Sequence, residues 1–237
     1  TGEDCPEGID SILIVADGMG GHEAGEIASR TAVKLMGQKL SDPTVYSVKD
    51  YSQVLRDAVV EVNTKVCEKA RAPEYRGMGT TLVTALISGD KVWVANVGDS
   101  RCYVARQSDS EIELLTRDHS WVMDQFEEGL LTQDEARTHR MSNVITKAIG
   151  LDPQMEIADR DVSERSLGNG DMVLLCTDGL HPQFENDNDI KKILLDNSPG
   201  DACEKLVVEA NEKGGPDNIT VIVANISPGS PKAAAKE

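Results

Sequence analysis

Gly79-Thr80-Thr81-Leu82-Val83-Thr84-Ala85-Leu86-Ile87-Ser88-Gly89-Asp90-Lys91-Val92-Trp93-Val94-Ala95-Asn96-Val97-Gly98-Asp99 is the stretch on which the fold turns. β-Branched and apolar residues fill 80–87, a turn stands at Ser88-Gly89-Asp90, and a second run over 92–97 closes in Gly98-Asp99. Runs this short, bounded by glycine, read as strands. A third follows at 101–105, and 112–115 returns after a polar turn. Strands joined so tightly are expected to be antiparallel neighbours.

Upstream, Ser11-Ile12-Leu13-Ile14-Val15-Ala16 is another short apolar run, cut off by Asp17-Gly18-Met19-Gly20-Gly21. Helical spacing then takes over across 23–40, with Ala24, Ile27, Ala28, Thr31, Ala32, Leu35 and Met36 on one face before Asp42-Pro43 breaks it. A second amphipathic helix is expected over 50–70, with Val54, Leu55, Ala58, Val59, Val62 and Val66 inward. Downstream, 120–140 reads as polar, weakly periodic helix and a surface insertion. The stretch 142–172 has little pattern beyond Val144-Ile145 and some alternation near Ile157. A buried strand at 172–177 ends in Asp178-Gly179, helices follow at 187–196 and 200–213, and a last strand is expected at 219–224. The order implies one α+β domain with packed sheets and helices outside. A single domain over 1–226 is expected, with 227–237, rich in Pro, Gly, Ser and Ala, as linker or disordered tail.

With 24 Lys+Arg against 41 Asp+Glu, the 237 residues carry a formal charge of −17, which argues against a nucleic-acid groove and against an anionic lipid surface. No run of about 18 apolar residues exists to span a bilayer. Thr1-Gly2-Glu3-Asp4 offers no signal peptide, and the lack of an initiator Met is read as the mark of a cut chain. Five scattered cysteines without a CxxC pair are expected to be free thiols in a reducing compartment, hence the cytoplasm.

The chemistry concentrates in aspartates. Val15-Ala16-Asp17-Gly18, Asn96-Val97-Gly98-Asp99 and Cys176-Thr177-Asp178-Gly179 all close apolar runs in the same way, and Asp217 precedes the last strand. Each could be simple turn chemistry, but Asp disfavours strands, and four such closures together demand another reason. If the strand ends converge, the carboxylates repel unless cations neutralise them, and an all-oxygen set suits Mg²⁺ or Mn²⁺ rather than Zn²⁺. The glycine beside Asp17 would let a backbone carbonyl reach an ion. HExxH, EF-hand, GxGxxG, Walker and GxSxG patterns are all missing.

These residues resemble the metal-dependent protein Ser/Thr phosphatases, the PPM or protein phosphatase 2C family, in its bacterial form. The resemblance runs through VADGMGGHEAGEIAS (15–29), GMGTTLV (77–83), ANVGDSRCYV (95–104), LTRDHSWV (115–122), NVITKAIG (143–150), LLCTDGL (174–180) and GGPDNITVIV (214–223), in the family's order. It implies a four-layer α-β-β-α sandwich of two antiparallel sheets. It also implies hydrolysis of phosphoserine and phosphothreonine in proteins, the products of a Ser/Thr kinase, by a chain acting as a monomer. Asp17 would bridge two Mg²⁺ or Mn²⁺ ions, Gly18 would offer its carbonyl, and Asp178 and Asp217 would complete the first ion's shell, with Asn218 orienting Asp217. Asp99 and Asp178 would bind a third, weaker ion, and 121–152 would be a flap beside the site. Water held between two divalent ions ionises near neutral pH and attacks phosphorus in line, so no phosphoenzyme is needed.

Catalytic roles fall to Asp17 and Asp178, with His22 in the glycine-rich turn as a candidate proton donor to the leaving group. His119 reads as structural, and His139 and His181 as surface residues; Trp93 and Trp121 read as packing. The family opens with a strand carrying an Arg that grips phosphate, followed by an acidic block; here Glu3-Asp4 stand in the acidic position, Asp4 thirteen residues before Asp17, and are read as water-mediated ligands of the second ion. The missing Arg and strand imply truncation, or phosphate binding through another cation; the alternative function is a pseudophosphatase, a regulatory module that binds phosphoproteins without turnover.

Overall fold

The computed structural model describes residues 5–47 and 50–227. Ten strands and six α-helices follow in chain order among the described residues: β1 (Ser11–Val15), β2 (Gly18–Met19), α1 (His22–Ser41), α2 (Tyr51–Lys69), β3 (Gly79–Thr80), β4 (Leu82–Ser88), β5 (Lys91–Val97), β6 (Arg101–Ala105), β7 (Glu113–Leu114), α3 (Trp121–Glu127), α4 (Gln133–Thr138), β8 (Val162–Ser166), β9 (Met172–Cys176), α5 (Asp187–Asp196), α6 (Pro199–Glu212) and β10 (Val221–Asn225). They build two four-stranded antiparallel sheets, β1-β4-β5-β8 and β10-β9-β6-β7, and a small β2-β3 ladder.

Strand periodicity sorts the side chains into three cores. Between the sheets lie Val83, Ala85 and Ile87 of β4 against Cys102 and Val104 of β6 and Val173 and Leu175 of β9. The opposite faces of β4 and β5, with Leu82, Leu86 and Trp93, pack under Ala28, Ala32 and Met36 of α1 and Val54, Leu55, Val59 and Val62 of α2. Tyr103, Leu174 and Cys176 do the same for α5 and α6 through Ile190, Leu194 and Leu206. The result is the four-layer α-β-β-α sandwich, and each fully buried Leu, Ile or Met contributes about 1.5–3 kcal/mol through removal from water. Trp93 packs edge-on against Tyr51 at 4.7 Å between ring centroids. All five cysteines are free, with Cys67, Cys102 and Cys176 buried.

Local sequence sets the helix ends. Asp50 caps α2 by accepting from the Gln53 N–H, Ser198 caps α6 with Pro199 behind it, and Thr132 and Glu135 form a capping box on α4. No helix among the described residues is long and apolar enough to cross a membrane.

Two expectations are corrected. Only β4/β5 and β6/β7 are hairpin neighbours; β5 and β6, three residues apart in sequence, belong to different sheets. The Gly98-Asp99-Ser100 connection crosses from one sheet to the other because His119 holds its backbone in place and Ser100 is tied to Thr81, so no ladder forms there. The second concerns β8, which lay in the stretch that carried little pattern. Val-Ser-Glu-Arg-Ser buries only Val162 and sits at a sheet edge, so it has no apolar alternation to read.

Candidate metal centre

Asp17 ends β1 where that strand stops pairing, and its backbone is fixed on both sides. Its N–H donates to Thr81 Oγ1, and its carbonyl accepts from the Thr81 N–H and from Thr80 Oγ1, each at 2.8 Å. The tandem threonines leave the β4 ladder to make these bonds, which is why β4 begins at Leu82 rather than at 80. Gly18 then passes so close to α1 that a Cβ there would lie 2.0 Å from the Gly25 carbonyl oxygen, a contact no side chain tolerates.

The second aspartate is seated in a parallel way. Asp178 follows β9, and Gly179 presses against the chain before β10; a Cβ on it would stand 2.2 Å from the Asn218 carbonyl oxygen. Thr177 locks the two segments, accepting from the Thr220 N–H at 3.1 Å and donating its hydroxyl to the Asn218 carbonyl at 3.3 Å. Asp217 is exposed, and its Oδ1 accepts from the Asn218 N–H at 2.7 Å, so Asn218 orients that carboxylate through its backbone.

Asp99 sits on the turn that crosses between the sheets and is only 6% exposed. His119 grips this turn from below: its Nδ1 accepts from the Gly98 N–H at 3.0 Å, and its own N–H donates to the Gly98 carbonyl at 2.9 Å. With Nδ1 accepting, the ring proton stands on Nε2 and is donated to Asp161 Oδ1 at 3.0 Å. His181, expected at the surface, is instead buried, with Nε2 donating to the Asp99 carbonyl at 3.2 Å. The Leu180–His181 turn folds inward under the site, and burial drives the His181 pKa down to about 3, so its imidazole is neutral.

The electrostatics of the aspartates follow from this convergence. Burial pushes the Asp17 pKa up to about 7, and the charges of the neighbouring Asp178 and Asp217 add to the rise. Asp99 likewise rises to about 7 through burial and the nearby Asp178 and Asp118. Asp178 is raised by burial and by Asp217. Neighbouring carboxyl groups repel once ionised, so this donor set fits a cation that would neutralise it. Among the described residues no three His, Cys, Asp or Glu side chains stand close enough to ligate one ion as they are. All-oxygen chemistry with surplus negative charge fits Mg²⁺ or Mn²⁺.

Glu3 and Asp4 lie outside the described residues, as does the side chain of His22, whose backbone opens α1. A cavity of about 300 Å³ adjoins the centre, with Asp99, Asp178 and His181 on one wall and Val122, Met123 and Phe126 of α3 on the other. Sequence reasoning missed the layer beneath. Arg101 clamps Asp118 through three contacts of 2.7–3.2 Å and donates to the Tyr103 hydroxyl at 2.9 Å, while Asp161 collects both His119 and Lys147. The available signal was the Asp-His pair of LTRDHSWV, two polar residues with no turn or cap to explain them.

Comparison with known proteins agrees with this fold. The family model described as Protein phosphatase 2C matches residues 5–198. The chain is 35% identical over 217 residues to the serine/threonine phosphatase stp of Listeria welshimeri, covering 90% of this chain and 83% of that one. The crystal structure of the serine/threonine phosphatase Stp1 from Staphylococcus aureus superposes with a TM-score of 0.83 at 35% identity, covering 91% and 84% of the two chains. The catalytic domain of the serine threonine protein phosphatase PstP, in complex with two manganese ions, gives 0.77 at 31% identity, with 92% and 90% covered.

Proposed function

Because this chain belongs to the protein phosphatase 2C family and is a protein-serine/threonine phosphatase, we propose that it removes phosphate from phosphoserine and phosphothreonine in proteins with two divalent cations, Mg²⁺ or Mn²⁺, and without a phosphoenzyme. Asp17, the Gly18 carbonyl, Asp178 and Asp217 would hold the ions, with Glu3 and Asp4 as water-mediated ligands and Asp99 with Asp178 as the place of a third. The observation that carries the reading is the gathering of half-buried carboxyl groups after β1 and β9, where burial and the charges of Asp178 and Asp217 push Asp17 up to about 7. The two manganese ions in the PstP complex support it.

When bound, such ions offset the carboxylate charge, polarise phosphate oxygens and make water acidic enough to ionise near neutral pH. The chain's own part is positional. Thr80 and Thr81 fix the Asp17 backbone, Thr177 and Gly179 bring Asp178 beside the Asp217 loop, and His119 with His181 hold the turn that presents Asp99. Four of the thiols are far from being nucleophiles: burial pushes Cys176 up to about 12 and raises Cys67, Cys102 and Cys203 as well. His181, neutral and committed to a backbone carbonyl, is no proton donor to a leaving alkoxide, which leaves that part to His22 or to water. The alternative of a phosphoprotein-binding module without turnover gains no support, since the relatives bear phosphatase names.

The substrates would be phosphoproteins made by a Ser/Thr kinase, met by a monomer in the cytoplasm, with 121–152 serving as a flap over the cavity within a domain of 1–226. Hydrolysis of p-nitrophenyl phosphate with Mn²⁺ tests the reading: turnover should vanish with EDTA and in Asp178→Asn. Turnover that persists in both contradicts it.

A further inference from the structure

Asn63 is a polar residue in the wrong place for a purely structural helix. It lies between Val62 and Val66 on the buried face of α2 and is only 2% exposed. A buried amide costs free energy unless its donors and acceptors are met, and a leucine would suit this face better. The partners of Asn63 come from a segment nearly ninety residues away: Oδ1 accepts from the Gly150 N–H at 2.8 Å, and Nδ2 donates to the Asp152 carbonyl at 2.7 Å. Cys67 Sγ adds a third bond, to Oδ1 at 3.6 Å. One side chain thus holds both ends of the turn that begins at Gly150.

That turn is directly coupled to the metal centre. Ile149, next to Gly150, exchanges both backbone bonds with Thr80, at 3.0 and 2.9 Å. Thr80 stands opposite Gly18 in the β2-β3 ladder, and its hydroxyl donates to the Asp17 carbonyl. The path Asn63, Gly150, Ile149, Thr80, Asp17 is made of backbone links and hydrogen bonds of 3.0 Å or less. β3 is only two residues long and cannot define its own position; it relies on what packs beyond it.

From this juxtaposition we infer that Asn63 is a positioning residue for the metal centre, acting through the Ile149-Gly150 turn and Thr80 on the Asp17-Gly18 backbone. The inference rests on the proposed cation site. Outer residues that orient ligands in this way typically account for about 10- to 100-fold in metal affinity.

Mn²⁺ titration of the EDTA-stripped full chain by calorimetry reads this directly. Asn63→Leu, which fills the same space without either bond, should weaken Mn²⁺ binding about tenfold. The Mn²⁺ concentration for half-maximal p-nitrophenyl phosphate turnover should shift by the same factor, with KM at saturating Mn²⁺ unchanged. Asn63→Asp, which keeps the acceptor for Gly150 and loses the donor for Asp152, should shift less. Val62→Ala, a cavity in the same helix, should lower the melting temperature and leave Mn²⁺ affinity alone. Unchanged affinity in Asn63→Leu, or an equal shift in Val62→Ala, overturns the inference while leaving the proposed function standing. An unaltered protein that neither binds Mn²⁺ nor turns over overturns the proposed function itself. Should the Asn63 variants not fold, hydrogen exchange at Gly150 decides: protection at the level of core amides supports the latch, and exchange at the rate of an exposed loop refutes it.

Discussion

Asp99 and Asp118 are equally buried, 6% exposed each, yet their carboxyl groups are driven in opposite directions. Asp99 is pushed up to about 7, whereas Asp118 is held below the usual carboxylate range even against the burial that works to raise it. The difference is company. Asp118 has the Arg101 guanidinium in bidentate contact, with His181 and His119 nearby, while the neighbours of Asp99 are Asp178, Asp118 and Asp17. Behind the centre the protein supplies its own cations, as it does again for Asp161 with Lys147. At the front it gathers carboxylates, and among the described residues Asp99 and Asp178 share their cavity with Arg101, whose guanidinium is committed to Asp118. A fold that can pair its acids and leaves these without a bidentate partner is what the proposed cation site requires.

The contrast is broken most severely at the front. Asp17→Ala should lower Mn²⁺-dependent turnover of p-nitrophenyl phosphate by about 10³-fold or more, on the scale of lost electrostatic stabilisation, while the metal-free protein stays folded by circular dichroism. At the rear the damage should move from activity to stability. Arg101→Met leaves the Asp118 charge buried and alone, and urea denaturation should register a loss of about 3–5 kcal/mol. If Arg101→Met were harmless, Asp118 would not depend on its partner and the comparison would fail.

Smaller effects sharpen the same line. Asp99→Ala should cut the rate about tenfold through loss of a weaker ion, yet spare the tightest Mn²⁺ binding in calorimetry; equal loss of tight binding would place Asp99 in the primary shell instead. The pH dependence of the metal-free protein should be smallest and has a definite sign. Asp17 and Asp99 rise from an ordinary 3.8 to about 7 on folding, so between about pH 4 and 7 the folded state holds protons that the unfolded chain has released. Stability contributed by these groups is therefore present at low pH and lost as pH rises through that window. Thermal denaturation in EDTA should show the melting temperature falling from pH 5 to pH 8, and Mn²⁺ should restore more of it at pH 8 than at pH 5.

Much of this was legible in the chain, for physical reasons. The apolar face of α1 announces itself at helical spacing because Ala28, Ala32 and Met36 must all reach one sheet. The strand ends announce themselves because Asp-Gly follows an apolar run only where the chain must stop and turn. The hidden parts depend on contacts between distant residues. That Gly98-Asp99-Ser100 crosses between sheets is decided by His119, twenty-one residues on, and by Thr81, so spacing alone suggested a hairpin. His181 looked like a surface residue because it follows the Asp178-Gly179-Leu180 turn, but the Asp99 carbonyl draws it inside. Asn63 was invisible as anything but an interruption in a valine face, since its partners lie beyond residue 149.

The central claim is that Asp17 and Asp178 meet around divalent cations. Crystals soaked in Mn²⁺ and measured at the manganese absorption edge test it most directly. Anomalous density between the two carboxylates, with the Gly18 carbonyl and Asp217 drawn toward it, is the predicted result. A Mn²⁺-soaked, active protein whose anomalous peaks lie away from Asp17 and Asp178 would contradict it.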